Sequence, residues 1–227
     1  MSGWFVAVAM VFVTCLITAN IIAVKLVALG GLVVFAAIVI FPLSYIFGDV
    51  LTEVYGYRRA RLVIWLGFGC NLLAVVAIII GQLLPPAAPF QDAQAAYERI
   101  LGYSPRLLGA SFVAYLIGEF SNSLVLAKMK VATEGRWLWA RTIGSTIVGE
   151  GLDTLVFNTL AFVGTFPAAV LVNSILSAWL LKVAYETLAT PFTYAVVTFL
   201  KQKEGMDVYD RHTDFSPIGL WGRSGSP

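Results

Sequence analysis

Two carboxylates, Glu150 and Asp153, lie near the middle of an apolar stretch, residues 142–162, that is about as long as a helix needs to be to cross a bilayer. A helix satisfies its own backbone in hydrocarbon, but a charged side chain there is costly unless it faces a partner or water. The spacing i, i+3, i+7 puts Glu150, Asp153 and Phe157 on one helix face with Asn158 beside them. Gly144, Ser145, Gly149 and Gly151 add small surfaces that let another backbone come close. A second group of the same kind occurs in GEFSNS, where Glu119 precedes Ser121, Asn122 and Ser123. A carboxylate accepts two hydrogen bonds from adjacent donors, as on a guanine-like edge, and an asparagine amide donates to a carbonyl. Such a set suits a small, flat, hydrogen-bonding solute held in a shared cavity; a purely structural polar network is the competing reading.

The remaining polar residues in apolar surroundings divide the same way. Lys182 and Glu186 stand i, i+4 and form either a self-neutralising ion pair or part of the cavity, with Trp179 and Tyr185 nearby as flat surfaces. Asn20 serves either a helix-helix hydrogen bond or the solute. Asp49 and Glu53, also i, i+4, precede Arg58, Arg59 and Arg61; with Arg141 they read as a topology-fixing ionic cluster at the interface or as an inner gate. A proton carried by one of the buried carboxylates, coupled to transport, is a further reading.

These residues need a membrane to sit in. The 227 residues are 59% hydrophobic and only 12% charged, about half the charge of an ordinary soluble domain. An all-α polytopic membrane protein with six transmembrane helices is expected, at 4–24, 30–48, 62–84, 107–127, 142–163 and 168–200. Residues 1–203 form this domain, and 204–227 form a polar, turn-rich tail expected to be cytoplasmic and partly disordered. The first span has no cleavage site and is not read as a signal peptide. The last is too long for one straight crossing, and Pro191 offers a kink. Between spans three and four, FQDAQAAYERIL predicts a short amphipathic helix on the outer surface. Eleven basic residues fall on one side of this arrangement and three on the other, which places both termini in the cytoplasm.

Much chemistry is missing. There is no phosphate-binding glycine loop, no His or Cys cluster for a metal, and a single histidine, His212, in the tail, so neither catalytic residues nor a cofactor is expected. Cys15 and Cys70 read as small buried hydrophobes. No nucleic-acid partner is implied; the partners are a small molecule and the lipid bilayer, with a homo-oligomer open.

Four separated stretches, FPLSYIFGDVLTEVYGYRRAR, SNSLVLAKMK, RTIGSTIVGEGLDTLVFN and YDRHTDFSP, resemble the bacterial queuosine-precursor transporter family, also described as vitamin-uptake-transporter-like. The resemblance runs over nearly the whole chain. It implies a multi-pass protein of the bacterial inner membrane that imports 7-cyano-7-deazaguanine or a related deazapurine for salvage into queuosine-modified tRNA. Asp49, Glu53, Glu119, Asn122, Arg141, Glu150, Asp153 and Asn158 are the polar members of those motifs. The resemblance leaves the energy source open between secondary or facilitated transport and service as the substrate-binding subunit of an ATPase-driven, energy-coupling-factor-type transporter.

Overall fold

The protein, seen here as a computed structural model, is described over residues 2–29, 32–102 and 104–218. Its helices are α1 (Gly3–Ile22), α2 (Phe41–Tyr55), α3 (Tyr57–Leu83), α4 (Gln91–Leu101), α5 (Pro105–Ala132), α6 (Leu138–Phe162) and α7 (Ala168–Glu204). One antiparallel hairpin, β1 (Leu26–Leu29) with β2 (Leu32–Phe35), joins α1 to α2, pairing Leu26 with Phe35 and Leu29 with Leu32.

Helices α1, α3, α5 and α7 are long and apolar enough to cross a membrane. The other two expected spans depart from that pattern for different reasons. Helix α6 has the length but carries Glu150, Asp153 and Asn158 in its apolar run. Helix α2 has only 15 residues, about 22 Å at 1.5 Å each, short of a hydrocarbon core of about 30 Å. The expectation of a helix over 30–48 is therefore corrected. The apolar residues before Phe41 go into the hairpin and a single 3-10 turn, Ala36–Val39, and the helix continues to Tyr55.

Short as it is, α2 is the centre of the bundle. It packs against α1, α3, α5 and α7, and Asp49, Val50, Leu51, Thr52, Glu53 and Val54 are each at most 1% exposed. A helix enclosed on all sides has no solvent face on which to put its charges. Its end at Gly56 (φ +82°) reverses the chain directly into α3, in a conformation that L side chains rarely adopt, and a Cβ there would lie 2.6 Å from Val208.

The most extensive helix contact is between α5 and α6. A Cβ on Gly149 would lie 2.5 Å from the Asn122 Cβ and 2.9 Å from its Cα, and one on Gly118 would lie 2.7 Å from the Asp153 Cβ. The two backbones meet because both sides omit a side chain, the small-residue packing favoured where helices cannot be driven together by water. At the far end Arg106 donates to the carbonyls of Leu160 and Val163, so a cation closes the C-terminus of α6.

The start of α1 and the end of α7 lie at one end of the bundle. Ser2 Oγ donates to Glu204 Oε1 at 2.5 Å, tying the start of α1 to the end of α7. Part of the tail docks on α3: Asp210, 6% exposed, accepts from the Tyr57 amide at 2.9 Å, Tyr57 and Arg61 donate to the carbonyls of Phe215 and Asp214, and Trp65 Nε1 donates to Pro217 O at 2.8 Å. Residues 219–227 of the expected tail lie outside the described residues. Helix α4 forms where the amphipathic pattern places it, with no buried residue and Tyr97 resting over Gly81.

If the α5–α6 crossing depends on missing side chains, Gly149→Ala forces the backbone of Asn122 aside and lowers unfolding stability by about 1–3 kcal/mol, as overpacking does. Gly69→Ala on α3, where a Cβ meets nothing within 4 Å, is the control and is neutral or slightly stabilising. Denaturant titration of the two variants in mixed micelles measures the difference.

Candidate functional site

The close crossing sets the positions of the acids. Glu119 and Asn122 project from α5 and Glu150 and Asp153 from α6, while α2 brings Tyr45 and Asp49 and α7 brings Lys182 and Glu186. Asn122 Nδ2 donates to Asp49 Oδ1 at 2.7 Å, both buried. Lys182 Nζ donates to Glu150 Oε2 at 2.9 Å and to Asp153 Oδ2 at 2.6 Å. Tyr45 lies within electrostatic reach of Glu150, and the Lys182 ammonium stands 5.7 Å from the centre of the Tyr45 ring. Glu119, 7% exposed, lies within electrostatic reach of Glu150, Asp153 and Lys182. Four helices thus deliver five carboxylates, an amide, a phenol and one ammonium to a common polar centre.

The expected i, i+4 pair of Lys182 with Glu186 does not form. Lys182 turns to α6, which offers two carboxylates in place of one, and both Glu186 oxygens are left without a hydrogen-bond partner. Asp49 Oδ2, Asn122 Oδ1 and Thr154 Oγ1 are likewise buried and unpartnered. Polar atoms in that condition are costly, and Asp49 and Asn122 carry theirs side by side. Two surface cavities lie elsewhere: one of about 340 Å³ between the end of α3 and α4, lined by residues such as Leu84, Phe90 and Tyr97, and an apolar groove of about 220 Å³ beside Trp4 and Phe199. Neither touches the acids.

A second charged layer lies toward the end where α1 begins and α7 closes. Glu53, fully buried, accepts from Arg141 Nη2 at 2.9 Å and from Lys201 Nζ at 2.7 Å, and Lys130 Nζ is 3.6 Å away. Lys130 also donates to the Glu53 and Val208 carbonyls and pairs with Asp207 of the tail, which Lys201 reaches at 2.9 Å. Asp207 is the partner that water also sees. Burial acts to raise its pKa, but the hydrogen bonds and charges of Lys130 and Lys201 outweigh that and hold the carboxyl below its ordinary value.

The arginines next to Asp49 and Glu53 in sequence are not their partners. Arg58 is exposed, Arg59 rests over the Phe5 ring and on Met206, and Arg61 serves the tail. Asn20 also stands apart, donating to Asn71 Oδ1 of α3 at 3.2 Å. Asn158, two turns beyond Glu150, donates to the Thr154 carbonyl of its own helix and accepts from Ser174. Trp179 lies over Gly151 and donates to Ile147 O, and Cys70 is exposed while Cys15 is buried. Sequence reasoning missed Tyr45, Lys130, Lys201 and Asp207. Tyr45 had a signal: Tyr45, Asp49 and Glu53 recur every four residues and share one face of α2. The tail and the two lysines had none.

The model of a family described as "Putative vitamin uptake transporter" matches residues 35–196, from the end of the hairpin into α7. The chain belongs to that family. A "Probable queuosine precursor transporter" of Bacillus subtilis (strain 168) is 33% identical over 189 residues, covering 83% of this chain and 82% of its own length. No solved structure matches. As a vitamin uptake transporter family member with several membrane-length apolar helices, the protein is a multi-pass membrane transporter, and the polar centre lies within the matched residues apart from no member.

The charged layer around Glu53 ranks its own substitutions. Glu53→Gln leaves three cations facing one remaining acid in a closed site and costs about 3–5 kcal/mol, as removal of one partner from a buried ion pair does. Asp207→Asn, at a half-exposed position, costs under about 1 kcal/mol. Because the Asp207 pKa is depressed on folding, its contribution is present above the ordinary carboxylate range and is lost as pH falls through the depressed value. Protease sensitivity of residues 205–218 measures both: strongly increased in Glu53→Gln at neutral pH, and increased for wild type only in acid.

Proposed function

We propose that the protein imports a queuosine precursor, 7-cyano-7-deazaguanine or a related deazapurine, through six membrane crossings, one each from α1, α3, α5, α6 and α7 and one from α2 together with the residues before it, with both termini in the cytoplasm of the bacterial inner membrane. The observation that carries this reading is the convergence of Asp49, Asn122, Glu119, Glu150 and Asp153 on one centre between α2, α5, α6 and α7. The name of the Bacillus subtilis relative supports the solute class. A carboxylate there takes the adjacent ring N–H and exocyclic amine of the deazapurine, the Asn122 amide meets its carbonyl, and Tyr45 supplies a ring at the edge. In this resting arrangement Lys182 holds Glu150 and Asp153, so entry of the solute exchanges an internal ion pair for hydrogen bonds to the ligand, and the centre need not stand open beforehand. Orientation follows from charge: the end where α1 begins and α7 closes also holds Arg58, Arg59, Lys130, Arg136, Arg141, Lys201 and Lys203, the positive-inside pattern.

Cells deprived of this protein and of their own deazapurine synthesis, then resupplied with it, recover uptake of labelled 7-cyano-7-deazaguanine. Glu150→Gln and Asp153→Asn together reduce that uptake at least about tenfold, since each lost charge-assisted hydrogen bond is worth about 1.5–3 kcal/mol. Uptake independent of the protein ends the assignment. Recovery by the double variant equal to that of wild type removes α6 from the solute site.

A further inference from the structure

We propose that Glu186, facing Asp49, binds a proton that the protein moves together with its solute. The proposal rests on the transport reading above and adds to it the coupling ion and the residue that carries it.

The balance of charge comes first. Among the described residues the centre of the bundle holds the carboxylates of Asp49, Glu119, Glu150, Asp153 and Glu186 against the single ammonium of Lys182, and that ammonium is already shared by Glu150 and Asp153 at 2.9 and 2.6 Å. Lys182 cannot serve the rest. Glu186 is 1% exposed and neither of its oxygens has a hydrogen-bond partner; Asp49 is fully buried, with Oδ1 satisfied by Asn122 and Oδ2 unpartnered. An ionised carboxylate left in that state gives up several kcal/mol of hydration for nothing in return.

The groups facing Glu186 offer it no cation. From α2 comes Asp49, which interacts electrostatically with Glu186 and also feels Glu119 and Glu53; from α6 comes Glu150. On its own helix Lys182 lies one turn back but points to α6. A proton resolves the conflict with the atoms present. The neutral acid of Glu186 gains one O–H donor, and Asp49 Oδ2 is an acceptor lacking a donor. Two facing carboxylates that cannot both ionise will share one proton. A metal ion fits less well, because no three such ligands converge closely enough to hold one among the described residues.

The position also suits transport. The Thr190 hydroxyl donates to the Glu186 carbonyl, and one residue further Pro191 lacks the N–H that would bond the Thr187 carbonyl, so α7 is weakened one turn beyond the acid. Protonation at Glu186 therefore acts where α7 bends most readily, against the α2 helix that bears Asp49.

The proton can be looked for without any solute. Infrared difference spectra between neutral and alkaline pH, recorded on the protein in an ester-free detergent, show a protonated carboxyl carbonyl that disappears in Glu186→Gln and shifts in frequency in Asp49→Asn. Absence of the band in wild type, or its persistence unchanged in both variants, overturns the proposal. In proteoliposomes with an acidic exterior, wild type accumulates labelled 7-cyano-7-deazaguanine about tenfold for each unit of imposed pH gradient, the value for one proton per neutral solute. In Glu186→Gln, uptake is the same with and without the gradient. Wild-type accumulation driven by a sodium gradient and blind to pH also overturns it. Wild-type vesicles that take up no deazapurine at all refute the proposed solute, and the infrared band still decides the proton site.

Discussion

An ionised carboxylate cannot be left against hydrocarbon, and this constraint decides which faces of the helices meet. Helix α6 carries Glu150, Asp153 and Asn158 in an otherwise apolar run, so its polar face must turn inward. Helices α5 and α7 answer it from opposite sides, with Glu119 and Asn122 from one and Lys182 from the other. The same constraint explains how an enclosed α2 can carry two acids. Asp49 and Glu53 are tolerable at zero exposure only because neighbouring helices bring Asn122 to one, and Lys130, Arg141 and Lys201 to the other.

Bringing polar groups together requires backbones to approach, and glycine makes that possible here. A side chain on Gly118 or Gly149 would occupy the space now filled by Asp153 or Asn122. The residues that lack side chains are thus as much part of the polar centre as those that have them. Opposite this crossing, Trp179 lies over Gly151 and spends its N–H on the Ile147 carbonyl, so α7 too approaches α6 over a residue without a side chain. Helix packing without a hydrophobic drive depends on contacts of this sort.

The sequence made the acids on α5 and α6, the surface helix α4 and the length of α7 legible, because each is written in local spacing and cost. What it could not show was choice among partners. Lys182 had an acid four residues away on its own helix and took two acids on another, which spacing alone does not rank. Asn20 could have met a solute or a helix, and it meets Asn71. The tail reads as polar and loose, yet its carbonyls and carboxylates are the partners of Tyr57, Arg61, Trp65 and Lys130; composition records polarity but not its direction. The hairpin did leave a trace. Val27, Val33 and Val34 put branched side chains in the short apolar runs 26–29 and 32–35, which suits strands better than a continuous helix.

Asp49 and Glu53 sit one turn apart on α2, about 6 Å along its axis, and belong to different layers. Asp49 belongs to the polar centre, while Glu53 anchors the cations that hold the tail through Asp207. A rigid helix cannot move one of these residues and leave the other in place. Any displacement of α2 that opens the centre to a solute therefore also pulls Glu53 against Arg141, Lys130 and Lys201, and a tail that grips those lysines resists it. Both layers stand on a helix too short to reach across the bilayer, ending at a glycine whose missing side chain admits Val208 of the tail. The link between the polar centre and the charged layer around Glu53 is thus a single buried helix, packed on its sides by α1, α3, α5 and α7.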